Sequence, residues 1–122
     1  MRRWKFPAVA SFEVTTHWYL AARNAGAALS FGIAASSDTF WPGQERYDSF
    51  TGYVPRRFRG TMQEWQALGV LNYEMETSAL FVTSQALGLE AGAVCGVVVK
   101  RTQSESVAPP DVYQRAFGIW CR

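Results

Sequence analysis

Strand-like and helix-like segments alternate along this sequence, and the alternation predicts an α/β domain with a mostly parallel central sheet. Three observations carry that reading. Residues 27–35 and 91–99 are short, almost uninterrupted apolar runs, as strands covered on both faces should be. A helical stretch over 77–87 separates a brief strand at 70–73 from the valine-rich run at 91–99, which makes one βαβ crossover of right-handed sense. At 122 residues, 48% hydrophobic and 18% charged with net charge +2, the chain suits one folded domain and not a disordered one.

The elements follow in order. Ser11 is placed to cap a helix over 11–25, in which Glu13 faces the positive end and Val14, Trp18, Ala21, Ala22 and Ala25 recur at three- and four-residue spacing. Gly26 stops the pattern. The 27–35 strand ends in Ser36-Ser37-Asp38. An irregular stretch over 38–60 follows, whose aromatics Phe40, Trp41, Tyr47, Phe50, Tyr53 and Phe58 argue for an ordered functional loop. Thr61-Met62-Gln63-Glu64 has capping-box spacing and predicts a short helix running to Gly69. After the strand at 70–73, Glu74-Met75-Glu76 interrupts before the 77–87 helix, which Gly88 ends. A last helix is expected to start near Pro110-Asp111.

Composition narrows the function. No apolar run reaches the roughly 18 residues of a membrane span, and the opening residues lack the apolar stretch of a secretory signal, so a cytoplasmic protein without membrane contact is expected. Cys95 and Cys121 imply neither a disulfide framework nor a metal cage, and Cys95 reads as a small buried hydrophobe. One histidine, His17, disfavours a zinc site or a histidine triad, and no metal is expected.

In open parallel sheets, ligands bind beyond the carboxyl ends of the strands. Three expected strands end in polar clusters: Ser36-Ser37-Asp38, Glu74-Met75-Glu76 and Lys100-Arg101-Thr102. Parallel strands would turn all three toward one crevice ringed by aromatics. Glu74 and Glu76, two apart, are either paired pocket carboxylates or acids favoured by a helix dipole. Gln44 and Arg46 share the same spacing and either read the edge of a planar heterocycle or belong to a solvated loop with an Arg–Glu pair. Arg56, Arg57 and Arg59 around Phe58 are either a small nucleic-acid patch or, in better accord with the net charge, a solvated or intersubunit face.

Residues 36–48, 62–76 and 96–103 closely resemble bacterial uridine phosphorylases, carried by Ser36-Ser37-Asp38-Thr39-Phe40-Trp41-Pro42-Gly43-Gln44-Glu45-Arg46-Tyr47-Asp48, by the stretch ending Leu71-Asn72-Tyr73-Glu74-Met75-Glu76, and by Val99-Lys100-Arg101-Thr102-Gln103. The resemblance runs from about Phe6 to Gln103 and implies a partial nucleoside-phosphorylase-like three-layer α/β fold. Residues 1–122 would form a single partial domain, the carboxyl-terminal half, with the amino-terminal strands absent. The implied activity is phosphorolysis of uridine to uracil and ribose 1-phosphate in nucleoside salvage, with inorganic phosphate as co-substrate and no cofactor. The implied assembly is a homo-oligomer, and no nucleic acid is expected as a partner.

Position by position, the resemblance assigns Phe40, Gln44, Arg46 and Arg101 to uracil, and Glu74, Met75 and Glu76 to ribose. The purine-specific relatives carry an Asp after the last strand, where this chain has Lys100-Arg101, so a pyrimidine is implied. Lys100 and Trp41 depart from the Asn and Tyr usual at those places. The family's phosphate-binding segments have no counterpart in this sequence, so no residue is assigned to phosphate. The rival expectation is a non-catalytic remnant that binds nucleoside or only associates with other subunits.

Overall fold

Residues 6–112 are described by a computed structural model of the chain. Helix α1 spans Phe12–Asn24. Ser11 closes its first turn, its hydroxyl accepting from Val14 N at 3.3 Å, and Glu13 lies at the positive end. Gly26, at φ 68°, takes the left-handed turn that ends it. Strand β1 is Ile33–Ser36, helix α2 is Thr61–Ala67, strand β2 is Val70–Glu74 and helix α3 is Thr77–Ala86, with one 3-10 turn at Arg56–Phe58.

The two strands are parallel, as expected of an α/β sheet. Ile33 lies opposite Val70 and Ser36 opposite Glu74, with an irregularity between Ile33 and Ala34. Gly32 permits the close approach, because a Cβ there would collide with the Leu71 side chain. This register ends both strands level, and Ser37 N extends the pairing by donating to Glu74 O at 2.9 Å. The polar clusters after β1 and β2 therefore emerge side by side, which is the placement that parallel strands require.

Three expectations are corrected. Residues 91–99 join no sheet; among the described residues the sheet has two strands, so the crossover is not completed by a third. A strand of that composition is stable only when covered on both faces. Here Val97 is 70% exposed, and the run is held instead at its ends, by Ser11 N donating to Ala91 O at 2.7 Å and Ala108 N donating to Val98 O at 2.7 Å. The 27–35 run forms a strand only from Ile33 on, and Ile33 is 66% exposed rather than buried. Cys95 is also exposed, since the segment that carries it is not sealed into a sheet. Of the last helix, residues 110–112 are helical, with Val112 N donating to Pro109 O at 2.9 Å; its remainder and Cys121 lie outside the described residues.

Among the described residues, buried polar side chains outnumber buried apolar ones. Among the described residues only Ala22 and Val54 are buried hydrophobics, whereas Ser37, Gln44, Glu45 and Arg46 are all buried. Buried polar groups must find partners or incur a desolvation cost of roughly 1–3 kcal/mol each. Those partners come from the loop over 37–60 itself, from the start of α2 and from residues 101–105.

Candidate functional site

The loop leaves β1 through a set of local side-chain bonds. Ser37 Oγ donates to Thr39 O at 2.9 Å, and Thr39 Oγ1 accepts from Gly43 N at 2.8 Å. Gly43 has no room for a side chain, since a Cβ would press against the Ser37 and Thr39 hydroxyls. Arg46 N donates to Trp41 O at 2.8 Å and Glu45 N to Pro42 O at 3.2 Å, closing the turn that carries Gln44, Glu45 and Arg46. Glu45 sits at φ 52°, a left-handed conformation that non-glycine residues rarely adopt.

Glu45 is also the cap of α2. Its Oε1 accepts from Gly60 N at 2.6 Å and its Oε2 from Met62 N at 2.8 Å, while the Thr61 and Tyr47 hydroxyls donate to it at 3.2 Å and 3.1 Å. The capping box expected from Thr61 and Glu64 is thereby replaced. Gly60, left-handed at φ 86°, is the capping position, Thr61 gives its hydroxyl to Phe58 O, and one distant carboxylate performs both halves of the box. Burial pushes the Glu45 carboxyl up, but the Met62 and Gly60 amides and the Tyr47 and Thr61 hydroxyls outweigh it and hold the group below the ordinary carboxylate range.

Four of the residues singled out from the sequence meet here. The Arg46 guanidinium lies 4.5 Å from the centre of the Phe40 ring. It donates to both oxygens of Asp48, at 3.1 and 2.8 Å, and to Glu105 O at 3.0 Å, and its Nη2 is 3.3 Å from the Glu105 carboxylate. The Asp48 bonds outweigh burial and hold the guanidinium above its ordinary value, firmly charged. Arg101 donates to the backbone carbonyls of Gln44 and Glu45, the latter at 2.9 Å, and grips Glu105 at 2.9 Å. Gln44 is 5% exposed, and among the described residues no buried side-chain nitrogen or oxygen lacks a hydrogen-bond partner.

Glu74, Met75 and Glu76 occupy the end of β2. Glu74 is spent structurally: it accepts from the Ser36 hydroxyl, from Glu76 N at 2.8 Å and from Thr77 N at 2.6 Å, and so caps α3. Ser36 Oγ accepts from Ser78 N at 3.0 Å and completes that cap. Burial raises the Glu74 carboxyl, yet the Ser36 and Thr77 hydroxyls and the Thr77 and Glu76 amides bring it below the ordinary range. Glu76 is exposed, and its carboxylate accepts from Met75 N at 3.2 Å. Met75 lines a cavity of about 580 Å³ together with Ser37, Asp38, Gly43, Phe58 and Tyr73. Gln44, Arg46 and Arg101 are not among its lining residues, so the base-assigned cluster and the cavity are neighbours, separated at Gly43 and Tyr73.

The other expectation for the loop, a solvated stretch with an Arg–Glu pair, holds for the pair and not for the solvation: Arg46 is buried and pairs with Asp48 and Glu105, while the Glu45 carboxylate turns to α2. Arg57 and Arg59 lie over the Phe58 and Tyr53 rings, 4.6 and 5.4 Å from the centroids, and Arg57 lines the cavity. His17 is on the exposed side of α1. Glu45, Asp48 and Glu105 were missed from the sequence; Glu105, four residues after Arg101, and Asp48, two after Arg46, carried the only local signal.

A family model described as the phosphorylase superfamily matches residues 5–113. The chain belongs to the phosphorylase superfamily. Within it, the chain is 56% identical over 101 residues to the uridine phosphorylase of Escherichia coli, covering 83% of this chain and 40% of that protein. It is 54% identical over 101 residues to the uridine phosphorylase of Haemophilus influenzae, with the same coverage. The uridine phosphorylase of Thermococcus kodakarensis is 38% identical over 103 residues, 84% of this chain and 37% of that one. The chain thus spans about 40% of the length of these superfamily members. Among the described residues no helix is long and apolar enough to cross a membrane, and no group of three or more metal-ligating side chains is assembled.

Proposed function

We propose that this chain supplies the uracil- and ribose-binding residues of a uridine phosphorylase, an enzyme of pyrimidine nucleoside salvage that converts uridine and inorganic phosphate to uracil and ribose 1-phosphate. One observation carries the reading. Gln44 and Arg46 sit on one locked turn, held by Arg46 N to Trp41 O and by Arg101 on the Gln44 carbonyl, with the Arg46 guanidinium over the Phe40 ring. A carboxamide and a guanidinium carried on one fixed turn offer amide donor, amide acceptor and guanidinium donors side by side. Uracil presents a matching edge of carbonyl oxygens and one N–H.

The chemistry follows from the charge that develops. As phosphate attacks C1′, the bond from C1′ to the base nitrogen breaks and uracil leaves with a negative charge spread over its carbonyl oxygens. Donors from Gln44 and Arg46 aimed at those oxygens stabilise the transition state more than the ground state. A charge-assisted hydrogen bond is worth roughly 1.5–3 kcal/mol, on the order of ten- to a hundredfold in rate. Phe40 packs against the ring, Arg101 holds the Gln44 carbonyl, and Met75 and Glu76 face the ribose. Glu74, whose acceptors are occupied, orders the end of β2. The phosphate site would be contributed by a part of the enzyme outside this sequence, the functional unit being an oligomer in the cytoplasm.

The rival reading is a non-catalytic remnant that binds nucleoside or only associates with other subunits. Uracil release from uridine and phosphate separates the two. The proposed function expects release when the chain is mixed with an amino-terminal half from a full-length relative, and the remnant reading expects none. A second measurement tests the ribose assignment: Glu76→Ala should weaken uridine binding about tenfold while leaving free uracil unchanged. Equal losses for the two ligands would remove Glu76 from the ribose site.

A further inference from the structure

Gln44 and Arg46 are two positions apart, a spacing that would aim both side chains alike on an extended strand, but the residue between them is not extended. Among the described residues Glu45 is the only non-glycine at positive φ, 52°. It is 5% exposed, and every polar handle it has is engaged. Its amide donates to Pro42 O at 3.2 Å, and its carbonyl accepts from Arg101 Nη2 at 2.9 Å. Its carboxylate takes the Gly60 and Met62 amides and the Thr61 and Tyr47 hydroxyls.

Such a backbone conformation persists only where the surroundings over-determine it. Here the surroundings are the first turn of α2 on one side and Arg101 on the other. A side chain that only capped α2 would not need to turn its own backbone left-handed or to lie between the two groups assigned to the base. We infer that Glu45 is a positioning residue: by clamping the turn to the start of α2, it fixes the directions of the Gln44 carboxamide and the Arg46 guanidinium for a planar, hydrogen-bonding heterocycle. The inference rests on the uracil-binding role proposed above for those two residues. Glu45 itself touches no reacting atom in this scheme.

Three variants of the full chain test it: Glu45→Gln keeps the size and one acceptor, Glu45→Gly keeps the left-handed turn without the carboxylate, and Glu45→Ala keeps neither. Two readouts apply to each, uracil affinity by calorimetry and the NMR signals of the Gln44 side-chain NH2 and the Arg46 Nε–H. In Glu45→Ala, uracil affinity should fall about tenfold and both signals should move to solvent-exchanging positions, with Glu45→Gln and Glu45→Gly intermediate. A Glu45→Gln or Glu45→Gly variant that melts earlier yet keeps both signals and full uracil affinity would overturn the inference and leave a helix cap alone. Should Glu45→Ala not fold, those two variants decide. Should the wild-type chain bind no uracil, the base-binding role fails, while displaced signals in the variants still support the clamp and unmoved signals still refute it.

Discussion

The loop over 37–62 and the apolar run over 91–99 are built on opposite principles. The loop is polar and irregular, yet Gln44, Glu45 and Arg46 are buried in it, Arg46 at 3% exposure. The apolar run has the composition of a central strand, yet it joins no sheet and leaves Val97 largely exposed. Hydrogen bonds and ion pairs between neighbours in space can be completed inside a short chain. A doubly covered strand needs two further layers, and hydrophobic burial scales with the area those layers provide.

That contrast can be broken from its polar side first. Arg46→Ala should have the largest effect, because it removes the donor proposed for uracil and the ion-pair partner of Asp48, while Arg101 still holds Glu105. Uracil affinity is expected to fall on the order of ten- to a hundredfold, measured by calorimetry. An unchanged affinity would show that the loop's burial serves only the loop. Glu74→Ala should come next, lowering stability by about 1 kcal/mol in urea unfolding as α3 loses its cap. A Glu74→Gln variant retains one acceptor and should recover part of the loss.

Acid should weaken the same polar region. Glu45, Glu74 and Asp48 all hold their protons less tightly in the folded chain than the ordinary carboxylate does. For Asp48 the cause is first the hydrogen bonds from Arg46. The unfolded chain therefore takes up protons at a higher pH than the folded one. The stability these groups contribute is complete above the ordinary carboxylate range and is lost as pH falls through their depressed values. Denaturation midpoints that stay level from pH 6 down to about pH 3 would contradict this.

The smallest effect belongs to the apolar side. Ile33 is 66% exposed, so Ile33→Thr should change the stability of this chain by less than about 0.5 kcal/mol. The same substitution should cost more once a complementary half covers the strand, and comparing unfolding with and without that half sharpens the contrast.

Local chemistry was legible in the sequence. Ser11, the periodic residues behind it and Gly26 bound α1 as expected, Gly69 follows α2, and Gly88 follows α3, because each of these signals acts within one helical turn. The resemblance assigned Phe40, Gln44, Arg46 and Arg101 to uracil, and the structure gathers these four residues. Glu45 was not legible. Its partners lie 15 to 17 positions away, and its left-handed turn has no glycine to announce it.

Sequence alone therefore determined the helices over 12–24, 61–67 and 77–86 and the parallel sense of the sheet. These rest on periodicity, capping and residue type, which are properties of short stretches. Only the tertiary structure decided that a remote carboxylate caps α2, that Glu105 ties Arg46 to Arg101, and that the most apolar run stays outside the sheet. Each of those outcomes depends on which groups meet across the fold, and burial and hydrogen-bond satisfaction are settled there.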